Sequence, residues 1–488
     1  HLQKWFDMVE FRGEGLTYDD VLVVPKRSRV KSRKDISLKT KLTNNIFLNI
    51  PILSANMDTV TESAMAITLA KMGGIGIIHR FLTIEQQVNE VLKVKRAENL
   101  VIDKPFTLMT SAKLKDAKQL MQENNVSGIL IVNYENKLQG ILTAKDILFE
   151  DDLEKNVSEL MTPRKDLITA LPGVNLEKAQ EILHKNKIEK LPIIDENDYL
   201  YGLITASDIM KIKQYPHSTK DSKGRLRIGA AIGVKEDYLK RAGALLQAGA
   251  DVLVLDIAHA HSDLAISAIK LIKKEFGNVE LIAGNVATKQ GTEDLISAGA
   301  DAVKSGIGAG SLCITRLVAG AGVPQLTAIM DCAQVADNYN VPIISDGGIR
   351  TSGDITKALA AGASTVMIGS LLAGTDESPG FTIIRNGGKY KMSRGMAGVS
   401  ASVSKKVIDN SVLKQDDVEE IVPEGVEAIV QYKGKASEVI KQLMGGLRSG
   451  LSYCGVNNLE DLKKNAEFVK ITKAGLIESN SHDVDIIK

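Results

Sequence analysis

Short apolar runs alternate with helical periodicity along most of this chain. Residues 51–55 form a strand-length apolar run, and 62–72 then space their apolar side chains at helical intervals. Two glycines follow, then a second apolar run at 75–79 and an amphipathic pattern over 84–95. A β-α-β-α rhythm implies a parallel sheet, because parallel neighbours need a crossover between them. The rhythm stops near residue 101 and resumes near 224. Six more strand-length runs then lie at 228–233, 252–258, 280–286, 302–308, 342–348 and 365–370. Three of them are entered through Ala-Gly-Ala, at 248–250, 298–300 and 361–363, where the glycine fits a helix C-cap before a buried strand. Eight βα units predict a TIM (β/α)8 barrel, α/β in class, built from 1–100 and 214–488. An open doubly wound sheet is disfavoured, since no G-x-G-x-x-G opens a helix after the first strand.

The interruption at 101–213 repeats itself. Gly140-Ile-Leu-Thr-Ala-Lys-Asp-Ile147 recurs as Gly202-Leu-Ile-Thr-Ala-Ser-Asp-Ile209, each copy preceded by an apolar run, at 128–132 and 191–194. Two copies of one supersecondary unit make an inserted tandem pair. Toward the C-terminus, 398–422 is polar without apolar periodicity and reads as an irregular, mobile flap within about 397–426. The glycines at 445–446 read as the end of a helical stretch.

Composition narrows the function classes. The 488 residues carry a net charge of +1 and only 4% aromatics, which disfavours nucleic acid and a charged membrane surface as partners. No apolar run reaches the ~18 residues of a membrane span. Three distant cysteines without a CxxC pair fit a reducing cytoplasm and argue against disulfides or a zinc cluster.

Barrel chemistry sits at the C-terminal ends of the strands. Asp256, His259 and His261 follow the fourth strand and Asn285 ends the fifth. The sixth runs into 304–316, with Gly306, Gly308 and Gly310 before Ser311, Cys313 and Thr315. Such a loop approaches a ligand closely, and its cysteine is a candidate nucleophile. Lys304 and the loop N–H groups are expected to favour its thiolate. The bland alternative is a glycine turn around a buried, inert cysteine. Asp346, Gly347 and Gly348 follow the seventh strand, and Gly369 and Ser370 the eighth. Gly348, Gly369, Ser370 and Ser311 supply donors for a phosphate, and Asp346 suits a ribose diol. A ribonucleoside monophosphate therefore fits. His259 and His261 lack further ligating neighbours, so packing or cofactor contact is expected there and not a metal. Cys332 and Cys454 read as core.

The repeated G-x-x-T-x-x-D pattern resembles the CBS domain, and the pair resembles a Bateman module. That resemblance implies an adenine or guanine nucleotide whose ribose meets Thr143, Asp146, Thr205 and Asp208; a purely assembling role is the alternative. Nearly the whole chain resembles the IMP dehydrogenase/GMP reductase family. The most specific motif is G-x-G-x-G-S-x-C-x-T-R, supported by Asn56-Met-Asp-Thr59, Gly224-Arg-Leu-Arg227, Asp346-Gly-Gly348, Arg394-Gly-Met396 and Pro423-Glu-Gly-Val426. The resemblance implies that Cys313 bonds to C2 of the purine. It gives proton handling to Thr315 and Glu424, reading of the base to the backbone of Met396, and substrate binding to Gly425. It places Asp256, Asn285 and Gly306 on the nicotinamide side. It also implies a potassium ion on the carbonyls of Gly308, Gly310 and Cys313, although Ala309 stands where a proline is usual. Homotetramers are implied, with octamers formed through CBS contacts.

Two chemistries run in that family. The dehydrogenase oxidises IMP with NAD and hydrolyses the adduct, using an Arg-Tyr pair in the flap. The reductase expels ammonia from GMP and reduces the adduct with NADPH to IMP. Residues 397–422 contain no Arg and no Tyr, and Ser393 replaces the tyrosine usual before Arg-Gly-Met. Asn56-Met-Asp-Thr and Ser345-Asp-Gly-Gly look more like reductases, whereas an inserted CBS pair is more usual in dehydrogenases. The expectation is a GMP reductase with a CBS pair. IMP dehydrogenase and a non-catalytic nucleotide sensor are the alternatives.

Overall fold

The computed structural model describes residues 10–97, 100–235, 237–408 and 422–481. The chain divides into two compact units, one running to residue 97 and resuming at 217, the other spanning 98–216. The expected insert, 101–213, lies just inside the second.

The first unit is built on eight parallel strands: β1 (Ile52–Ser54), β2 (Ile75–Ile78), β3 (Gly229–Ile232), β4 (Val252–Asp256), β5 (Leu281–Val286), β6 (Ala302–Ser305), β7 (Ile343–Asp346) and β8 (Thr365–Ile368). They pair in sequence order, and β8–β1 and β2–β3 pairing closes the barrel. Such strands are covered on both faces, which is why each is a short continuous apolar run. Along β4, Val252 and Val254 join one buried cluster while Leu253 and Leu255 join another, the period-2 split of a strand between two layers. Eight helices form the outer ring: α1 (Ser63–Lys71), α2 (Ile84–Arg96), α3 (Tyr238–Ala248), α4 (Asp263–Phe276), α5 (Lys289–Ala298), α6 (Gln325–Ala336), α7 (Ser352–Ala360) and α8 (Ala436–Tyr453). Each packs on the next, and α8 packs on α1. Two of the Ala-Gly-Ala turns behave as expected, with Gly249 and Gly299 capping α3 and α5 in the left-handed region; in the third, Ala361 is the C-cap of α7 and Gly362 (φ 121°) follows it.

Three expectations need correction. β6 stops at Ser305 and β7 at Asp346, short of the expected 308 and 348. Gly306 has left the strand with φ 149°, and a Cβ there would overlap the Asp346 carbonyl oxygen. Second, the glycines at 445–446 do not end a helix, because α8 continues to Tyr453. Gly446 and Gly450 face Ser352 and Thr356 of α7, where any Cβ would collide, so the small residues serve close helix packing. Third, the flap is not irregular throughout. Between β8 and α8 lie a three-stranded sheet (Thr382–Arg385, Gly388–Arg394, Glu427–Gln431) and a helix, Val399–Ile408, anchored by the buried Ala401. The rest of the expected flap, 409–421, lies outside the described residues.

In the second unit, each half runs helix, strand, strand. Leu114–Asn124 precedes Gly128–Val132 and Leu138–Thr143; Leu176–Asn186 precedes Lys190–Ile194 and Leu200–Thr205. Both helices end on a left-handed residue, Asn125 and Lys187. The halves then diverge. Thr205 caps the helix Ala206–Gln214, but Thr143 leads into turns. There Glu150 and Asp152 accept hydrogen bonds from the backbone N–H groups of Asp152 and Glu154, which competes with a helix. No helix among the described residues is long and apolar enough to cross a membrane.

Candidate active site

Lys304 sits on β6, between β5, which carries Asn285, and β7, which ends in Asp346; Asp256 ends β4, one strand further round. Its side chain is only 2% exposed, and Nζ donates to Asp256 Oδ1 at 2.8 Å and Asp346 Oδ2 at 2.6 Å, and to Asn285 Oδ1. An unpaired ammonium at this depth would cost several kcal/mol. Burial alone would lower the Lys304 pKa, but the two carboxylates override it and hold the ammonium charged. Burial likewise tends to raise Asp256, and Lys304 more than reverses this, leaving the carboxyl below its ordinary value. Asn285 Nδ2 donates to Asp346 Oδ2 at 3.0 Å and the Gly306 carbonyl at 2.8 Å, and Asn56 Nδ2 donates to Asp256 Oδ2 at 2.8 Å. The strand ends thus carry one cation between two anions. The Lys304 ammonium, expected to favour the Cys313 thiolate, is committed to these carboxylates. A lone lysine inside a buried barrel strand was the available signal.

The cysteine loop is held by an antiparallel pairing with residues 424–426. Ile314 N–H donates to the Glu424 carbonyl at 2.8 Å, Val426 N–H to the Leu312 carbonyl at 3.0 Å, and Cys313 bridges Gly425. That register brings Glu424 beside Thr315, 109 residues away in sequence. Thr315 Oγ1 donates to Glu424 Oε2 at 2.7 Å, and Cys313 Sγ lies 3.1 Å from Thr315 Oγ1. Since the threonine proton points at the carboxylate, its oxygen is left to accept from the thiol. The three side chains form one continuous hydrogen-bonded chain, the geometry a proton transfer requires. Cys313 is half-buried, whereas Cys332 and Cys454 are buried, and burial pushes both of those thiols up.

Two clefts meet at Cys313. The first, about 790 Å³ with its open mouth included, is lined by Ser311, Asp346, Gly348, Gly369, Ser370, Met396, Glu424 and Gly425, among others. The second, about 960 Å³ on the same measure, is lined by Asn56, Arg80, Phe81, Asp256, Asn285, Lys304, Gly306 and Thr315, among others. Gly310, Cys313, Asp346, Gly347, Met396 and Ala397 line both. Every residue expected on the substrate side therefore borders the first cleft, and every one expected on the cofactor side borders the second. Arg80 is an addition, and the contacts of Asn56 and Lys304 with Asp256 emerge only from the folded strand ends.

The described residues hold no group of three or more His, Cys, Asp or Glu able to take a metal. His261 Nε2 is 2.8 Å from Asp294, and the His259 ring stacks edge-on to His261. The carbonyls of Gly308, Gly310 and Cys313, expected to hold potassium, belong to the same loop. The Gly310 carbonyl accepts the Cys313 N–H, and the Arg316 guanidinium donates to the Ile307 carbonyl while its side chain packs against Gly308. In the 98–216 unit, Thr143 Oγ1 donates to Asp146 at 2.7 Å and Thr205 Oγ1 to Asp208 at 2.6 Å.

Comparison with known proteins agrees with this architecture. The family described as "IMP dehydrogenase / GMP reductase domain" matches residues 15–482. Inosine-5'-monophosphate dehydrogenase of Nitrosopumilus maritimus is 55% identical over 98% of this chain and 99% of its own length. GMP reductase of Leishmania donovani is 48% identical over 96% of this chain and 97% of its own. Among solved structures, a cysteine-to-alanine GMP reductase from Trypanosoma brucei in complex with guanosine 5'-monophosphate superposes with a TM-score of 0.90, at 44% identity, covering 99% of this chain and all of that one. The chain belongs to the IMP dehydrogenase/GMP reductase family of oxidoreductases.

Proposed function

We propose that this chain is a GMP reductase, converting GMP, NADPH and two protons to IMP, ammonium and NADP. The observation that carries this reading is the absence of Arg and Tyr from 397–422. The dehydrogenase reaction ends in hydrolysis, and a general base of that kind contributes about two to four orders of magnitude. Losing it would leave the adduct to a competing step.

The first cleft suits the nucleotide. Ser311, Gly348, Gly369 and Ser370 would take the phosphate, Asp346 the ribose diol, and the backbone of Met396 and Gly425 the base. Cys313 Sγ bonds to C2, and the C2–amino bond breaks. The departing amino group takes its proton through Thr315 and Glu424 and leaves as ammonia. The second cleft suits a nicotinamide nucleotide: Asp256 and Asn285 offer hydrogen-bonding groups, and Phe81, Ile257 and Ile307 apolar surface. Each Asp256 oxygen accepts one hydrogen bond and keeps a further lone pair. A reduced nicotinamide bound there supplies the hydride that takes the amino group's place. The C2–sulfur bond then breaks and its electron pair returns to Sγ. No step runs through potassium.

A second reading, IMP dehydrogenase, is favoured by the higher identity to proteins of that name. It would need Thr315 and Glu424 to activate water unaided. A sensor without catalysis leaves the aligned Cys313, Thr315 and Glu424 unexplained. The Thr–Asp pairs of the 98–216 unit support a CBS pair binding adenine or guanine nucleotides. Cytoplasmic homotetramers, with octamers through that unit, complete the proposal. The test is mass spectrometry after incubation with GMP alone. A purine adduct on Cys313 with free ammonia and no XMP supports reduction, whereas accumulating XMP contradicts it.

A further inference from the structure

We propose that Arg394 and Asp58 form a positioning pair that fixes the base-reading edge of the nucleotide cleft and the flap helix to the loop after β1. The inference rests on the reading of the first cleft as the nucleotide site. Neither side chain lines either of the two clefts described above, so both act through residues that do.

Arg394 ends the strand Gly388–Arg394, immediately before Gly395, Met396 and Ala397, which line the nucleotide cleft. Its Nε donates to Asp58 Oδ2 at 2.9 Å, and Nη2 reaches the same oxygen. Nη1 donates to Ser400 Oγ at 3.0 Å, and Nη2 makes a longer 3.5 Å contact with Ser404 Oγ. Ser400 and Ser404 lie one turn apart on one face of the helix Val399–Ile408, so the guanidinium faces that helix along a turn of its length. The backbone joins in: Arg394 N–H donates to Thr59 Oγ1 at 3.3 Å, and Asp58 N–H approaches Met396 Sδ at 3.4 Å. The Asp58 side chain is 10% exposed and that of Arg394 is 21%. The same loop carries Asn56, which holds Asp256 of the second cleft. Residues 56–59 thus tie the flap side of one cleft to a carboxylate of the other. The geometry uses all three guanidinium nitrogens. An ammonium is a single point and cannot hold both Asp58 and Ser400 in this arrangement.

The test is steady-state kinetics of the full chain carrying Arg394→Lys and, separately, Asp58→Asn, with GMP and NADPH and with IMP and NAD. The expected result is a nucleotide KM raised at least tenfold, with kcat within threefold. The alkylation rate of Cys313 in nucleotide-free protein should stay within twofold of wild type. The double variant should be no worse than the poorer single one, because the pair acts as a unit. Unchanged KM in both variants overturns the proposal, as does a loss confined to kcat or a fall in thermal stability alone. Calorimetric titration of the wild-type chain with GMP and with IMP separates this failure from the other. No binding of either overturns the reading of the cleft, whereas tight wild-type binding with unaltered variants overturns only the pair.

Discussion

Cys313, Thr315 and Glu424 matter as a chain of proton donors and acceptors, and their separate losses should differ in kind. Cys313→Ala removes the sulfur proposed to bond to C2. Turnover should fall by at least ~10³-fold while nucleotide binding survives, as read by initial rates and calorimetry. Glu424→Gln leaves Thr315 a hydrogen-bond partner but no base. The loss in kcat should be about 10²- to 10⁴-fold, with a smaller change in KM. Asp256 makes a different prediction. Its folded pKa is depressed, so its stabilising charge is present above the unfolded value and lost as pH falls through the lower folded one. The difference in unfolding free energy between wild type and Asp256→Asn should therefore stay constant from pH 9 to about 5. It should shrink below about pH 4, where the unfolded carboxyl takes up protons; a decline already at pH 6–7 would contradict the depressed value. The place of Cys313 and Asp346 at the clefts was legible in the sequence because both follow the C-terminal end of a barrel strand. Lys304's partners were not, since they depend on the register of four neighbouring strands.

At the scale of elements, short buried strands and glycine caps were easily read, and packing explains where that reading stopped. Glycines at 445–446 lower helix propensity, so the sequence alone marks an end there. The tight seam of α8 against α7 reverses that preference at one glycine and not at the other. Gly446→Ala should destabilise the chain by about 1–3 kcal/mol, because the new methyl meets Ser352. Gly445→Ala, with nothing within 4 Å of its added Cβ, should stabilise it by about 0.5–1 kcal/mol. Denaturant unfolding of the two variants checks both signs. The helix Val399–Ile408 was missed for a related reason. It is short, and the contacts of Ala401 and the two serines that face Arg394 come from distant parts of the chain.

For the whole molecule, the division into a barrel and a repeated insert was legible because each leaves its own period in the sequence: eight βα units in one, a doubled motif in the other. Which of the family's two reactions the chain runs was less legible, since the resemblance implies the same loop cysteine for both. They part at the fate of the adduct. The central claim is that hydride and not water resolves it. The direct measurement is one reaction mixture of protein, GMP and NADPH, followed for NADPH absorbance, ammonia and IMP. The account predicts that all three change in equal amounts, and that Cys313→Ala abolishes the change. Conversion of IMP and NAD to XMP by the same protein, with no reduction of GMP, would contradict it.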